Sequence, residues 1–377
     1  MLEKLELKNF AKFADLIIQF SPRINILIGE NGTGKTQLLK AAYVAHSALS
    51  DELQGADLAK RLCRVYQPTG DSLGKLVRHG TPVGSHAEIH SQFAGGQRLR
   101  ARFTSASKTA SLTEIIAQPA LGAPLFLPTK EVLSLLRGIK SKDADLKTIE
   151  SIFDSTYLDL CGKLIVKKPL KTGDLIESDP RFGAVYEKLV NALEGRFSLT
   201  DVGGSVLMSY DPGQYLVQRD KDQHNLNTRV KEAFIANKGE SVSANMAAEG
   251  IRKLGILQLL LRNRQLDPGR TGTVFWDEPE TNMNPKLMKL LVEIMLELSR
   301  NGQQVILATH DYVLLKWFDL LVKKGQGDHI MFHALSNANG QLVVQSADDY
   351  RQLNCNAIAN TFSNLYDEEI KRSLGVA

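Results

Sequence analysis

The sequence predicts an α/β protein with strands buried on both faces of a largely parallel sheet. Two observations carry this. Gly29-Glu30-Asn31-Gly32-Thr33-Gly34-Lys35-Thr36 reads G-x-x-x-x-G-K-[ST] between an apolar strand and a helix start. From Ala247 onward, helical patterns alternate with short, continuous apolar runs, the pattern of strands covered on both faces.

Each element follows from its local pattern. Leu5 and Leu7 alternate with charges, and Leu16-Ile17-Ile18-Gln19-Phe20 follows a turn around Lys12 to Asp15, so residues 2–20 are expected to form two strands. Ile24-Asn25-Ile26-Leu27-Ile28 reads as a buried strand, and the helix after the glycine loop runs to about Ser50. Residues 51–80 carry no clear pattern. His86 to Thr104 alternates, with Gly95-Gly96 as a hairpin turn. Pro124-Leu125-Phe126-Leu127-Pro128 reads as a short buried strand, after which Thr129 is expected to cap a helix through Leu136, with Glu131 in its first turn. Residues 139–195 read as a charged helical insertion between Gly138 and Gly195, with Ile149, Ile152, Phe153, Tyr157 and Leu160 at helical spacing. Arg196 to Arg219 reads as a β-meander with turns at Gly203-Gly204 and Asp211-Pro212-Gly213.

The alternating stretch follows: a helix over about Ile251–Arg264, a strand Thr273–Asp277, a helix from Pro285 to Ser299 with proline in its first turn, a strand Gln304–Ala308, a helix Tyr312–Val322 and a strand Ile330–Ala334. The expected organisation is a head in two pieces, residues 1–138 and 196–377, interrupted by the helical insertion 139–195.

Composition is that of an ordinary globular protein: 377 residues, 43% apolar and 23% charged. With 46 basic and 42 acidic residues the net charge is +4, which permits nucleic-acid contact without arguing for it. The densest basic stretches, Arg98 to Arg102 and Lys163 to Lys171, read as solvated faces. Cys63, Cys161 and Cys355 are far apart and fit neither a disulfide framework nor zinc spacing. The opening Met1-Leu2-Glu3-Lys4-Leu5-Glu6 is charged at once, and no apolar run approaches a membrane span, so a cytoplasmic location without membrane contact is expected.

The glycine loop states its chemistry. Glycines let the backbone curl so that successive N–H groups point at phosphate oxygens, and the helix N-terminus adds its dipole. Lys35 is expected to reach the β- and γ-phosphates of a nucleoside triphosphate, and the Thr36 hydroxyl to ligate Mg²⁺. Asn31, Gly32, Thr33, Gly34 and Gln37 complete the expected nucleotide contacts. Three later features narrow the reading. Val274-Phe275-Trp276-Asp277-Glu278-Pro279-Glu280 delivers two adjacent carboxylates to a strand end: Asp277 to share Mg²⁺ with Thr36, and Glu278 to polarise the attacking water. His310, after the next apolar strand, is placed to contact the γ-phosphate. Ala247-Ala248-Glu249-Gly250 opens a helix whose turn can present N–H groups to an anion.

These four elements, in this order, resemble the ABC-class ATPase heads, and within them the soluble, non-transporter branch of SMC, RecF and OLD-type proteins. Leu7-Lys8-Asn9-Phe10, the strand pair before the loop, and Asp277 to Pro285 carry the resemblance, which extends over roughly 1–138 and 196–345. Pro128 to Ser134 is similar to the stand-alone AAA-type ATPases of bacterial defence islands. The resemblance implies an antiparallel β subdomain beside the main sheet, ATP and Mg²⁺ as cofactors, and a homodimer or higher homo-oligomer that sandwiches two nucleotides. Ala248 and Gly250 would face the partner copy's γ-phosphate, and Glu280 to Asn284 would lie at the dimer seam.

The signature departs from the pattern of transport ATPases, with Ala248 for a serine and Glu249 for a glycine. The lost hydroxyl removes a hydrogen bond of about 1.5–3 kcal/mol to a charged acceptor, for which Arg252 or Lys253 is expected to compensate. Gln118 is a candidate for the family's glutamine loop by order alone. No second carboxylate cluster after His310 reads as a nuclease; Asp348-Asp349 and Asp367-Glu368-Glu369 read as helix-start and exposed-helix charges. The expected function is therefore an ATP-hydrolysing sensor or switch in anti-phage defence that acts through a separate effector, a nuclease or toxin. The alternatives are a RecF-like repair ATPase that clamps duplex DNA and an ATP-dependent scaffold with negligible turnover.

Overall fold

A computed structural model describes residues 1–50, 58–82, 84–139, 141, 143–165, 180–202, 205–221, 228–237, 241–267, 271–338, 340–353 and 357–375. In chain order the strands are β1 (Leu2–Phe10), β2 (Phe13–Gln19), β3 (Ile24–Gly29), β4 (Ala87–Phe93), β5 (Arg98–Phe103), β6 (Ser111–Ile116), β7 (Ala123–Leu127), β8 (Gly195–Val202), β9 (Ser205–Lys221), β10 (Thr228–Ala236), β11 (Val242–Ser243), β12 (Thr271–Asp277), β13 (Val305–Ala308), β14 (Ile330–Ala338) and β15 (Gln341–Ala347). The helices are α1 (Lys35–Ser47), α2 (Leu58–Tyr66), α3 (Leu136–Ile139), α4 (Leu146–Ile152), α5 (Ser155–Leu164), α6 (Pro180–Leu193), α7 (Glu249–Arg262), α8 (Pro285–Arg300), α9 (Tyr312–Leu321) and α10 (Ala357–Ser373). The chain divides into two compact units. The first holds Met1–Leu127, Gly272–Glu280 and Gly302–Ala377, and the second Pro128–Thr271 and Thr281–Asn301.

In the first unit a six-stranded sheet runs in the order β15-β14-β3-β13-β12-β7. Strands β14, β3, β13 and β12 are mutually parallel, while β15 returns antiparallel along β14. Every residue of β3 and of β13 is buried, which is why both read as unbroken apolar runs. An antiparallel sheet, β2-β1-β4-β5-β6, lies beside it. Its inward residues Leu5, Leu7, Ile89 and Leu99 share one core with Leu27, Phe275 and Ile306 of the parallel sheet and with α1, most of whose residues are buried. Gln304, 1% exposed, ties the two sheets together. Its Oε1 accepts from Leu2 N (2.8 Å) and Thr273 Oγ1 (2.7 Å), and its Nε2 donates to Leu2 O and Ser21 O (2.8 Å each).

The second unit carries a β sheet, β10-β9-β11 with β8 also on β9, and the helices α3 to α8. Phe197 of β8 packs on Gly255 of α7, where any Cβ would collide with its ring, and the Phe197 N–H donates to Gln258 Oε1 at 2.9 Å. Asn263 closes the end of α5 by donating to Leu164 O at 2.8 Å.

Most expected elements are present, and four expectations change. Thr129 caps no helix. The chain turns through 132–135 and becomes helical only at Leu136, because Glu131 binds back to the Ser134 N–H (3.1 Å) and hydroxyl. Asp211-Pro212-Gly213 is not a turn, since β9 runs straight through it. Residues up to Pro212 pair with β8 and those from Gly213 on with β10, so the Pro-Gly step marks a change of partner, where proline's missing donor leaves no gap in the ladder. The helical spacing from Ile149 to Leu160 is split at Asp154, whose side chain caps α5 by accepting from Thr156 N at 2.7 Å, and Ile152 is 62% exposed. Strands β6 and β15 were not foreseen. Gly203-Gly204 and residues 166–179, which include most of the Lys163 to Lys171 stretch, lie outside the described residues. Asp349 caps a helical turn at Tyr350, and Asp367 to Glu369 lie on the exposed α10, both as expected.

Two measurements test this packing. Gln304→Leu takes the side-chain partner from the Leu2 N–H, the Leu2 carbonyl and the Thr273 hydroxyl and one of two donors from the Ser21 carbonyl, which keeps Asn25 Nδ2, and is expected to cost about 3 kcal/mol in urea unfolding. Burial pushes the imidazoles of His46 and His333 down to about 3, so both stay neutral in the folded chain. Below about pH 6.5 the unfolded chain takes up protons that the folded chain does not. Stability is therefore expected to fall with falling pH, by about 1.4 kcal/mol per pH unit for each histidine between pH 6 and 4. A flat urea midpoint from pH 7 to 5 would contradict it.

Candidate functional site

Strand β3 delivers the glycine loop to the edge of the parallel sheet. Gly29 closes the strand at φ 152°, where a Cβ would run into the Leu335 carbonyl on β14. Gly34 turns left-handed at φ 88° against the Phe13 ring and opens α1 with no side-chain cap. Asn31 and Gly32 are exposed on the loop, while Thr33 is buried and donates its hydroxyl to Glu30 O at 2.8 Å. Lys35, 7% exposed, folds back to donate to Gly29 O (2.7 Å) and Glu30 O (3.0 Å). Burial lowers its ammonium below the usual range, opposed by the charges of Glu278, Asp277 and Glu280.

The carboxylates come from β12, two strands away across β13. Thr36 Oγ1 donates to Asp277 Oδ1 (3.0 Å) and Oδ2 (2.9 Å), joining residues 241 positions apart. Glu278 sits at φ 46°, a conformation rare outside glycine, and its N–H donates to Ala308 O at 2.9 Å. From the neighbouring β13, His310 brings its Nδ1 within 3.3 Å of Glu278 Oε1 and 3.9 Å of Glu280 Oε1. Lys35, Thr36, Asp277, Glu278 and His310 thus meet within one unit, at the carboxyl ends of parallel strands, where open α/β sheets bind ligands.

The expected residues do not all converge there. Ala248 and Gly250 belong to the second unit. Ala248 is the N-cap of α7 with no side-chain bond, and a Cβ on Gly250 would press on Asn282 O and Met283 Cα at 3.2 Å. Arg252, expected to compensate for the missing serine, is engaged within its own unit. Its Nε donates to Glu131 Oε1 at 2.8 Å and its guanidinium also binds the carbonyls of Asn245 and Ala247. Lys253 is buried. Gln118 is exposed. Gln37 is partly buried, and its Oε1 has no hydrogen-bond partner. Lys12 was missed as a loop contact, and Glu280 was expected only at a dimer seam. Lys12, in the β1–β2 turn, donates to Gly32 O at 2.7 Å, and Glu280 lies buried behind His310. Glu280 sat in plain view as the third acid of its run; nothing local marks Lys12.

The donor set fits a divalent cation of the Mg²⁺ kind. Among the described residues no cluster of three His, Cys, Asp or Glu forms an all-protein cage. A hydroxyl beside a carboxylate is what Mg²⁺ takes from a protein when phosphate oxygens and water supply the remaining ligands.

In solved structures the whole architecture recurs. An SMC head bound to the C-winged helix domain of ScpA aligns with TM-score 0.54 over 93% of this chain and 98% of that one, at 14% identity. The Pyrococcus furiosus Smc head with an extended coiled coil aligns with TM-score 0.50 over 98% and 99%, at 12% identity. The fold is that of an ABC-type ATPase head. Residues 1–50 of this head match the family model described as "AAA ATPase domain", and 176–316 match "AAA domain, putative AbiEii toxin, Type IV TA system". Curated relatives are the DNA replication and repair protein RecF of Ligilactobacillus salivarius (53% identical over 49 residues, 13% of each chain) and of Listeria monocytogenes serotype 4b (28% over 137 residues, 36% of this chain and 34% of that one). The chain spans 13% and 34% of the length of these two relatives. The matches support an ABC-class head of the SMC and RecF type.

Replacing Lys35 with Ala removes the buried cation of the loop and is expected to weaken ATP binding by about 100-fold or more in calorimetry. Unchanged affinity would rule the loop out as the nucleotide site.

Proposed function

We propose that this protein binds and hydrolyses ATP with Mg²⁺, and that ATP closes two copies of the chain into a sandwich. The opening and closing of that sandwich would act as a sensor or switch for a separate effector, a nuclease or toxin, in bacterial anti-phage defence. The observation that supports this most is the contact of Thr36 with both oxygens of Asp277, beside the Glu278–His310 pair. On this reading residues 1–138 and 196–377 form the head, 139–195 is an insertion, and the protein works in the cytoplasm. Among the described residues no helix is long and apolar enough to cross a membrane.

The chemistry follows from the side chains. Lys35 exchanges the carbonyls of Gly29 and Glu30 for phosphate oxygens, with the loop N–H groups and Gln37 around it. Thr36 and Asp277 hold Mg²⁺, which when bound neutralises charge on the phosphates. Glu278 orients the attacking water and takes its proton. The Nδ1 of His310 faces Glu278, which leaves Nε2 for a γ-phosphate oxygen. Ala248 and Gly250 of one copy would complete the other copy's site through backbone N–H groups.

The defence role draws on the family model whose description names a putative AbiEii toxin. A second reading, a RecF-like ATPase that clamps duplex DNA, draws on the RecF matches. The row Arg98, Arg100 and Arg102 gives it little help, because Glu114 faces Arg98 at 3.8 Å and Glu88 pairs with Arg102 at 3.1 Å. ATP-dependent duplex binding that weakens steeply with salt would favour RecF-like action. Ala248 keeps a third reading in play, a scaffold with negligible turnover, and phosphate release that disappears in Glu278→Gln excludes it.

Glu278→Gln is expected to bind ATP, stall, and accumulate as a dimer in light scattering at saturating nucleotide. A protein that remains monomeric under those conditions refutes the sandwich.

A further inference from the structure

We infer that Glu280 is a positioning residue of this ATPase site, holding the exit of β13 so that His310 is aimed at Glu278; the inference rests on the proposed reading of His310. Glu280 leaves β12 just after the Asp277-Glu278 pair and is 6% exposed. Its Oε1 accepts from the Thr309 hydroxyl at 2.6 Å and from the His310 backbone N–H at 3.3 Å. Thr309 Oγ1 in turn accepts from Asp311 N at 3.0 Å, and Asp311 caps α9 by accepting from Leu314 N at 2.6 Å. One buried carboxyl just past the neighbouring strand thus holds Thr309 and the His310 N–H directly, and through Thr309 the N–H of Asp311 at the start of the helix beyond.

The same oxygen lies 3.9 Å from His310 Nδ1, on the nitrogen that also faces Glu278 Oε1. Two carboxylates beside Nδ1 favour an N–H at that nitrogen and turn Nε2 away from Glu278; Nε2 meets a γ-phosphate oxygen as a donor, which requires a proton there as well. The other oxygen, Oε2, is buried without a hydrogen-bond partner. Packing alone does not account for an acid there, because an unpaired buried carboxyl oxygen is costly where an apolar residue of similar size would fill the space. Burial also pushes the Glu280 carboxyl above the usual range, against the pull of its bonds to Thr309 and His310.

The test combines kinetics with the imidazole itself. Glu280→Ala is expected to lower kcat about tenfold or more while the KM for ATP moves less than about twofold, and Glu280→Gln, which keeps an acceptor for Thr309, to recover most of the loss. Thr309→Val, which cuts the same bond without touching the carboxyl, is expected to lower kcat in the same direction. Combined with His310→Ala, Glu280→Ala should add no further loss, because both act through one ring. The ring ¹⁵N signals of His310, assigned by their disappearance in His310→Ala, should show the proton on Nδ1 and should shift in both Glu280→Ala and Thr309→Val. Fully multiplicative kinetics, or ring signals that neither substitution moves, overturn the inference. A wild-type protein that releases no phosphate refutes the proposed function, and the ring signals still decide the role of Glu280.

Discussion

The bond between Thr36 and Asp277 depends on a single feature of topology, the strand order β3-β13-β12 with all three strands parallel. Parallel order puts the carboxyl ends of the three strands on one edge. The loop after β3, the acids after β12 and the histidine after β13 then converge without any of them being near in sequence. An antiparallel β13 would carry His310 to the opposite edge. The register is held from below by Gln304, one residue before β13, whose side chain binds β1 and β12 at once. Site geometry and core satisfaction are therefore one problem in this chain. The residue that fills the polar hole in the core also fixes the strand that carries the histidine.

Legibility in the sequence tracks the range of the interaction. The strand–loop–helix around Lys35 was readable because each step is local: six buried residues, glycines where backbone must pass close, a helix start. The strand end at Asp277 and Glu278 was readable from an apolar run that closes on two acids, and only the glycine loop upstream gives that pair its expected role. The Asp211-Pro212-Gly213 turn failed for the opposite reason. Its residues have strong local turn preference, yet two different neighbours offered ladder partners on either side of Pro212, and tertiary pairing prevailed over propensity. The helix expected after Thr129 starts only at Leu136, and Glu131 before it is shared between a local turn, where it accepts from the Ser134 N–H and hydroxyl, and Arg252 more than a hundred residues away. Glu280 and Lys12 act only through partners on other elements, so no window of sequence shows what they do.

The two compact units meet the chain at four crossings, after Leu127, Thr271, Glu280 and Asn301. Two of these are close to chemistry. The crossing after Glu280 comes three residues beyond Asp277, and the one after Leu127 comes four residues before Glu131, the anchor of Arg252. Asp277 and Glu280 thus lie within a few residues of a crossing along the chain.

The signature turn determines how such a rearrangement would become turnover. A serine at an N-cap supplies both a cap for its own helix and a donor for an anion. Ala248 supplies neither, so the first N–H groups of α7 have no side-chain acceptor from their own cap. Glu249 in the first turn complements the helix dipole but repels phosphate, and the one arginine close by is committed to Glu131 and two carbonyls. On the proposed reading, the partner's γ-phosphate meets backbone dipoles alone at this turn. Without a serine hydroxyl the turn offers one donor fewer to the charge that develops as the phosphate leaves. That loss favours a nucleotide held long over one turned over fast, which suits a switch whose output is the closed state more than it suits an engine that must cycle.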